Sequence, residues 1–258
     1  SHRVGYVTDG RGPLLTVGVR PPSGILRHQA DAYLDLLRAL KWDAWWRPTG
    51  YLLPPESNAE AEKLLAESGL APHVPVIGIT PGASYGTAKR WPAERFAAAA
   101  DRLADHFGAV ALLFGSSREA SLTRAIREQM RGAAIDFGGR TTLTELAGLL
   151  GRCRLQLTND TGAMHLAAAL GIPCVALFGP TDPHRTGPLG AGHQILHNPP
   201  ACSPCRYRDC PIDHQCMREL DVERWWLQQR LFLLDYHPPP GRTPIGCPPL
   251  FGPGRNHQ

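Results

Sequence analysis

The stretch LQLTNDTGAMHLAAALGIPCVALFGPTDP at 155–183 gathers hydroxyl, carboxylate and imidazole groups where an apolar run gives way to a helical pattern. Asp160, Thr161 and Gly162 stand at the start of a helix predicted over 163–170, and His165 falls within its first turns. The first N–H groups of a helix lack intrahelical partners and carry roughly half a positive charge. A diphosphate docked there gains hydrogen bonds and charge compensation. Asp160 works against this if it points inward, since a carboxylate repels phosphate. It can instead cap the helix or accept from a sugar hydroxyl. Capping alone would account for Asp160 and Thr161, and a structural role would account for His165.

Three more polar clusters share the same setting. TPGASYGTAKRWP follows the apolar run at 76–79; Gly82 and Gly86 let the backbone approach a ligand, while Ser84, Thr87 and Lys89 offer hydroxyls and a cation. Its spacing is not that of a Walker A loop, and no G-x-G-x-x-G follows a strand anywhere in the chain. FGPTDPHRTGP adds Thr181, Asp182 and Arg185. The fourth cluster is Cys202-x2-Cys205-x4-Cys210-x5-Cys216. Its first pair matches a zinc knuckle and its wider spacings do not, so structural zinc stands beside free or redox-labile thiols. Cys153, Cys174 and Cys247 look unrelated to that set, with Cys174 expected in a strand core.

The elements that must position these groups alternate. Strands are predicted at VPVIGITPG, AVALLFGSS, AAIDFGG, RLQLTND and CVALFGPTD. Helices are predicted at AERFAAAADRLADHFG, REASLTRAIREQM and TLTELAGLLGRC, the last opening on a Thr142-x-x-Glu145 capping box. Strict alternation with short links implies a right-handed, Rossmann-like parallel α/β sheet with its ligands at the carboxyl ends of the strands. This unit is assigned to 73–234. Residues 1–72 contribute a hairpin-like pair around Asp9-Gly10-Arg11-Gly12, a helix from Gln29 to Leu40, and a second helix capped by Ser57 or Asn58 in front and Gly69 behind. That is too little for a comfortable independent core, so 1–72 reads as the back half of a domain. Residues 235–258, dense in Pro and Gly, read as a disordered tail.

Bulk properties narrow the class. With 258 residues, 43% hydrophobic and 19% charged, the composition is that of a soluble globular enzyme. The net charge of +4 favours an anionic small molecule or lipid surface, but it is not concentrated into the basic stripe of a nucleic-acid binder. The first residues carry no apolar signal-peptide core, which predicts a cytoplasmic location and reduced thiols.

Taken together, PGASYGTAKRWP, LLFGSSRE, LTNDTGAMHLAAALGIPCVALFGPTDPHRTGP and CSPCRYRDCPIDHQCM resemble the bacterial ADP-heptose:lipopolysaccharide heptosyltransferases, most closely their type II branch. The similarity runs from about Arg3 to Arg224, with the motifs in family order and spacing. It implies a glycosyltransferase of the two-Rossmann-domain (GT-B) architecture, with the nucleotide-sugar donor held by the second domain. On that resemblance Lys89 and the Ser84 loop contact donor phosphates. Asp160, Thr161, Gly162 and His165 line the diphosphate and sugar, with Thr181 beside them. Ser116, Ser117, Glu119 and Thr141 occupy the nucleoside neighbourhood.

The implied substrates are ADP-heptose and the lipid A–core oligosaccharide, with no nucleic acid, no required cofactor, and peripheral contact at the cytoplasmic face of the inner membrane. The family's general base belongs to a G-x-x-G-D segment that would precede Arg3. No catalytic residue is therefore assigned within this chain, and no turnover is expected from it alone. Two other readings stay open: a non-enzymatic nucleotide-binding or cysteine-cluster metal module, and a different GT-B enzyme such as an epimerase.

Overall fold

A computed structural model of the chain describes residues 2–21, 27–46 and 53–221. The tail expected at 235–258, with the residues from 222 onward, lies outside the described residues. The first strands are β1 (Val4–Tyr6) and β2 (Val17–Val19). They pair in parallel, Val4 beside Val17, so the expected hairpin is not formed. Asp9 and Gly10 adopt φ of +53° and +71°, and a 3-10 turn over Gly12–Leu14 then carries the chain back to the start of β1. There Thr16 N–H donates to the Arg3 carbonyl at 2.9 Å, and Arg3 N–H donates to Thr16 Oγ1 at 2.7 Å.

Helix α1 (Gln29–Ala39) is capped by His28, whose Nδ1 accepts from Ala30 N–H at 3.1 Å. The proton therefore sits on Nε2, which donates to the Gly187 carbonyl at 3.0 Å. Helix α2 (Pro55–Glu67) starts earlier than expected, with Pro55 in the first turn, where its missing N–H costs nothing. Ser57 is not its cap. It is buried inside the helix, against the helix α5 described below, where a Cβ on Gly148 would come within 2.1 Å of the Ser57 carbonyl oxygen.

The remaining elements build one sheet. Its strands are β3 (Val76–Thr80), β4 (Val110–Leu113), β5 (Ala134–Asp136), β6 (Cys153–Asn159), β7 (Cys174–Phe178) and β8 (Gln194–His197). The connecting helices are α3 (Ala93–Phe107), α4 (Ala120–Gln129), α5 (Leu143–Arg152), α6 (Gly162–Ala169) and α7 (Pro183–Thr186), and α8 (Gln215–Arg218) follows β8. The strand order is β5-β4-β3-β6-β7-β8, all parallel. The chain enters at the middle, builds outward one way through β5, then returns to build the other half. The order thus reverses between β3 and β6, and the crevice at that point is where open α/β sheets place their ligands.

Both faces are covered, which is why the central strands read as continuous apolar runs. Ile77, Ile79, Leu113, Leu155 and Leu157 pack with Phe96 and Leu103 of α3 on one side. Val76, Leu112, Phe114 and Cys174 pack with Leu65 of α2, Leu149 of α5 and Ala167 of α6 on the other. The alanines of α3 let it lie close to the sheet, and Gly108, at φ +56°, closes its last turn. The Thr142–Glu145 capping box forms as expected. Strand β8 was not legible in the sequence, because Gln-Ile-Leu-His offers two apolar residues on a polar edge.

Candidate functional site

Lys89 leaves β3 through the glycine-rich loop, and Asp160 leaves β6. They meet at the point where the strand order reverses: Lys89 Nζ lies 2.6 Å from Asp160 Oδ2, with the side chains only 15% and 5% exposed. Thr181, from the loop after β7, donates its hydroxyl to the same Oδ2 at 2.8 Å. One carboxylate thus joins three strand ends. Asp160 is not the helix cap; Thr161 is, its Oγ1 accepting from Ala163 N–H at 3.1 Å. Gly162 is the first residue of α6, and a Cβ there would meet nothing within 4 Å, so that terminus is open to approach.

Asn159 braces this arrangement. Its Nδ2 donates to the Pro81 carbonyl at 2.7 Å, and its Oδ1 accepts from Trp91 N–H at 3.4 Å, so it holds both ends of the loop that carries Lys89. One layer below, Gln156 Nε2 donates to Thr80 Oγ1 at 2.5 Å across the β3–β6 pair. Gly78 makes room for it, since a Cβ at that position would collide with Gln156 Oε1.

A cleft of about 400 Å³ opens in front of the pair, lined by Gln29, Tyr85, Lys89, Thr181, Asp182, Arg185, Thr186 and Arg206. Gln29 belongs to α1, which the His28–Gly187 hydrogen bond ties to the wall formed after β7. Tyr85 carries Lys89 Nζ at 5.5 Å and the Arg208 guanidinium at 5.4 Å from its ring centroid. His165 does not line the cleft but faces the same charges. Its pKa is depressed, first by desolvation, with Asp160 opposing and His28 and Lys89 adding to the shift, so the imidazole is neutral at pH 7.

The sequence-predicted residues therefore divide. Lys89, Asp160 and Thr181 come together, Thr161 and Gly162 form the adjoining helix start, and His165 flanks it. Ser84 is exposed outside the cleft lining. In the expected nucleoside neighbourhood Glu119 is nearly buried and committed to its own turn, accepting from Ser116 N–H and Oγ at 2.9 and 2.7 Å. Asn159, Tyr85 and Arg206 were missed, and only Asn159 carried a signal: it sits between Thr158 and Asp160 at the strand end.

Among the described residues no three His, Cys, Asp or Glu side chains are gathered to hold a metal ion, so the zinc expected on Cys202, Cys205, Cys210 and Cys216 finds no support. The four thiols are free. Cys202 is exposed, Cys210 Sγ accepts from His214 N–H at 3.3 Å, and Cys216 is buried with Met217 and Leu220 in the core. Burial, and then the charge of Cys205, Cys210 and Cys202 nearby, push the Cys216 thiol up to about 11.

Comparison with known proteins identifies the family. The family described as glycosyltransferase family 9 (heptosyltransferase) matches residues 1–215. Lipooligosaccharide heptosyltransferase 2 of Haemophilus influenzae is 40% identical over 147 residues, 55% of this chain and 42% of that protein. Lipopolysaccharide heptosyltransferase 2 of Escherichia coli is 36% identical over 155 residues, 58% of this chain and 44% of that protein. The chain spans about half the length of the curated relatives it matches. Among solved structures, a family 9 glycosyl transferase from Veillonella parvula superposes with a TM-score of 0.72 at 27% identity, over 87% of this chain and 65% of that one. The E. coli ADP-heptose lps heptosyltransferase II superposes with a TM-score of 0.70 at 27% identity, over 90% and 70%. The chain belongs to glycosyltransferase family 9, the heptosyltransferase family.

Proposed function

We propose that this chain carries the donor site of an enzyme that transfers heptose from ADP-heptose to the inner core of lipopolysaccharide. The observation that carries this reading is the Lys89–Asp160–Thr181 cluster beside the open start of α6, at the reversal of strand order. In the transfer, an acceptor hydroxyl gives up its proton to a base supplied outside this cluster as its oxygen attacks the anomeric carbon of the donor sugar. The bond from that carbon to the β-phosphate oxygen breaks, and ADP leaves with the electron pair. Negative charge therefore grows on the diphosphate. Lys89 and the free N–H groups of α6 are placed to offset it, so donor binding and rate acceleration use the same groups. Asp160 holds the ammonium in register, Thr161 caps the helix through the Ala163 N–H, and Gly162 leaves the approach to its start open. His165 flanks the same helix start as a neutral side chain. Charge compensation on this reading needs no metal.

The same reading assigns 73–234 to the donor domain and 1–72 to part of an acceptor domain. Trp42, Trp45 and Trp46, between 40% and 62% exposed and following Lys41, support peripheral contact with the inner membrane, since aromatic and basic groups favour the headgroup layer. Co-sedimentation with anionic vesicles, lost in the triple alanine variant, checks that part. The central test is thermal stabilisation of the purified chain by nucleotides. ADP-heptose and ADP should raise the melting temperature, and stabilisation by UDP-sugars alone would overturn the proposal.

A further inference from the structure

The cysteine-rich segment is bound to both walls of the cleft. Ser203 Oγ donates to the Gly179 carbonyl at 2.6 Å and Arg206 N–H to the Pro180 carbonyl at 2.9 Å, which fixes it to the end of β7. On the other side Ala88 N–H donates to the Arg208 carbonyl at 2.9 Å, and Arg208 Nε donates to the Tyr85 carbonyl at 2.8 Å. Thr87 Oγ1 donates to Asp209 Oδ1 at 2.6 Å. The fit is close: a Cβ on Gly86 would come within 2.2 Å of the Arg208 carbonyl oxygen. The contacts with Tyr85, Thr87 and Ala88 span more than a hundred residues of chain and hold the loop that ends in Lys89.

Arg206 is the point where this strap reaches the ligand space. Its backbone adopts φ +59°, uncommon for a residue with a side chain, and the residue, which carries a guanidinium, lines the cleft. That guanidinium makes no ion pair among the described residues, whereas the Lys89 charge is already met by Asp160 at 2.6 Å. An anion entering the cleft therefore finds uncommitted positive charge on Arg206, with Arg185 in the same lining, and not on Lys89 alone. The planar fork of an arginine suits two phosphate oxygens at once.

We infer that the Arg206–Asp209 strap completes the donor site: Arg206 is a second diphosphate-binding cation, and Asp209 is a positioning residue that acts through Thr87 on the Lys89 loop. This rests on the reading of the cleft as a nucleoside diphosphate site. The test is calorimetric titration of the chain with ADP and with adenosine. Arg206→Gln should weaken ADP about tenfold or more and leave adenosine unchanged, and Arg206→Lys should recover part of the loss. Asp209→Ala should weaken ADP about fivefold, Thr87→Val similarly, and the double variant no further than either single one. Asp209→Asn, which keeps an accepting oxygen, should bind close to the unaltered chain.

If ADP binds Arg206→Gln as tightly as the unaltered chain, or if the Thr87 and Asp209 losses multiply, this proposal falls while the cleft assignment stands. Failure of the unaltered chain to bind ADP removes the cleft assignment, and this inference with it.

Discussion

Removing the carboxylate of Asp160 should cost the fold more than any other single change at the cleft. The change Asp160→Ala leaves the Lys89 ammonium 15% exposed with no counter-charge, and leaves the Thr181 hydroxyl without its acceptor. At 2.6 Å and an effective dielectric of about 20, the lost attraction is about 6 kcal/mol. Roughly half of that offsets the desolvation of the two groups, which brings the net cost to about 3 kcal/mol, at the lower end for a broken buried pair. For a chain of this size, that lowers the melting temperature by about 6–12 °C.

Calorimetric or fluorimetric melting checks the value, and a double substitution checks the cause. Lys89→Met with Asp160→Leu removes both charges together and should lie within about 1 kcal/mol of the unaltered chain, since a buried pair replaced by apolar groups is often neutral. An Asp160→Ala melting point within a degree of the original would refute the reasoning, as would full additivity of the two single costs.

Two further outcomes follow from titratable groups whose pKa the fold shifts. His165, His193 and His197 all have pKa values depressed below the ordinary 6.5, in each case chiefly by desolvation. The unfolded chain therefore takes up protons first, so stability is complete above about pH 6.5 and falls as the pH drops below it; melting between pH 7.5 and 5 should show this decline, and a flat profile would contradict it. Cysteine alkylation followed by peptide mass analysis at pH 8 should label Cys202 first among the cysteines of the described residues. Cys216, pushed up to about 11, is ionised only about one part in a thousand at that pH, and Cys174, pushed up to about 12, less still.

Much of the six-stranded unit was legible in the sequence. Four of its six strands are largely apolar runs, β6 sets Leu155 and Leu157 between polar residues, and alternation with helices dictates a parallel sheet. The polar strand ends marked the site, because an inward carboxylate beside a helix start has no role in core packing. Contacts between distant segments were not legible. Nothing in CRYRDC signals that Arg208 will receive a hydrogen bond from Ala88, since no local propensity encodes a loop-to-loop pairing. The small β1–β2 sheet failed for a related reason: Asp-Gly is a strong hairpin signal, but Pro13 and the 3-10 turn behind it redirect the chain. For Ser57, a side chain suited to capping was overridden by Pro54-Pro55 and by burial against Gly148.

The imidazole of His28 spends both its nitrogens on backbone, one on the opening turn of α1 and the other on a carbonyl 159 residues away. A single side chain thereby makes the integrity of a helix start and the placement of a distant loop into one event. Whatever pulls the Gly187 loop outward also draws on the ring that anchors Ala30. The entry of that helix, and Gln29 on it, are then answerable to how the far wall of the crevice is held.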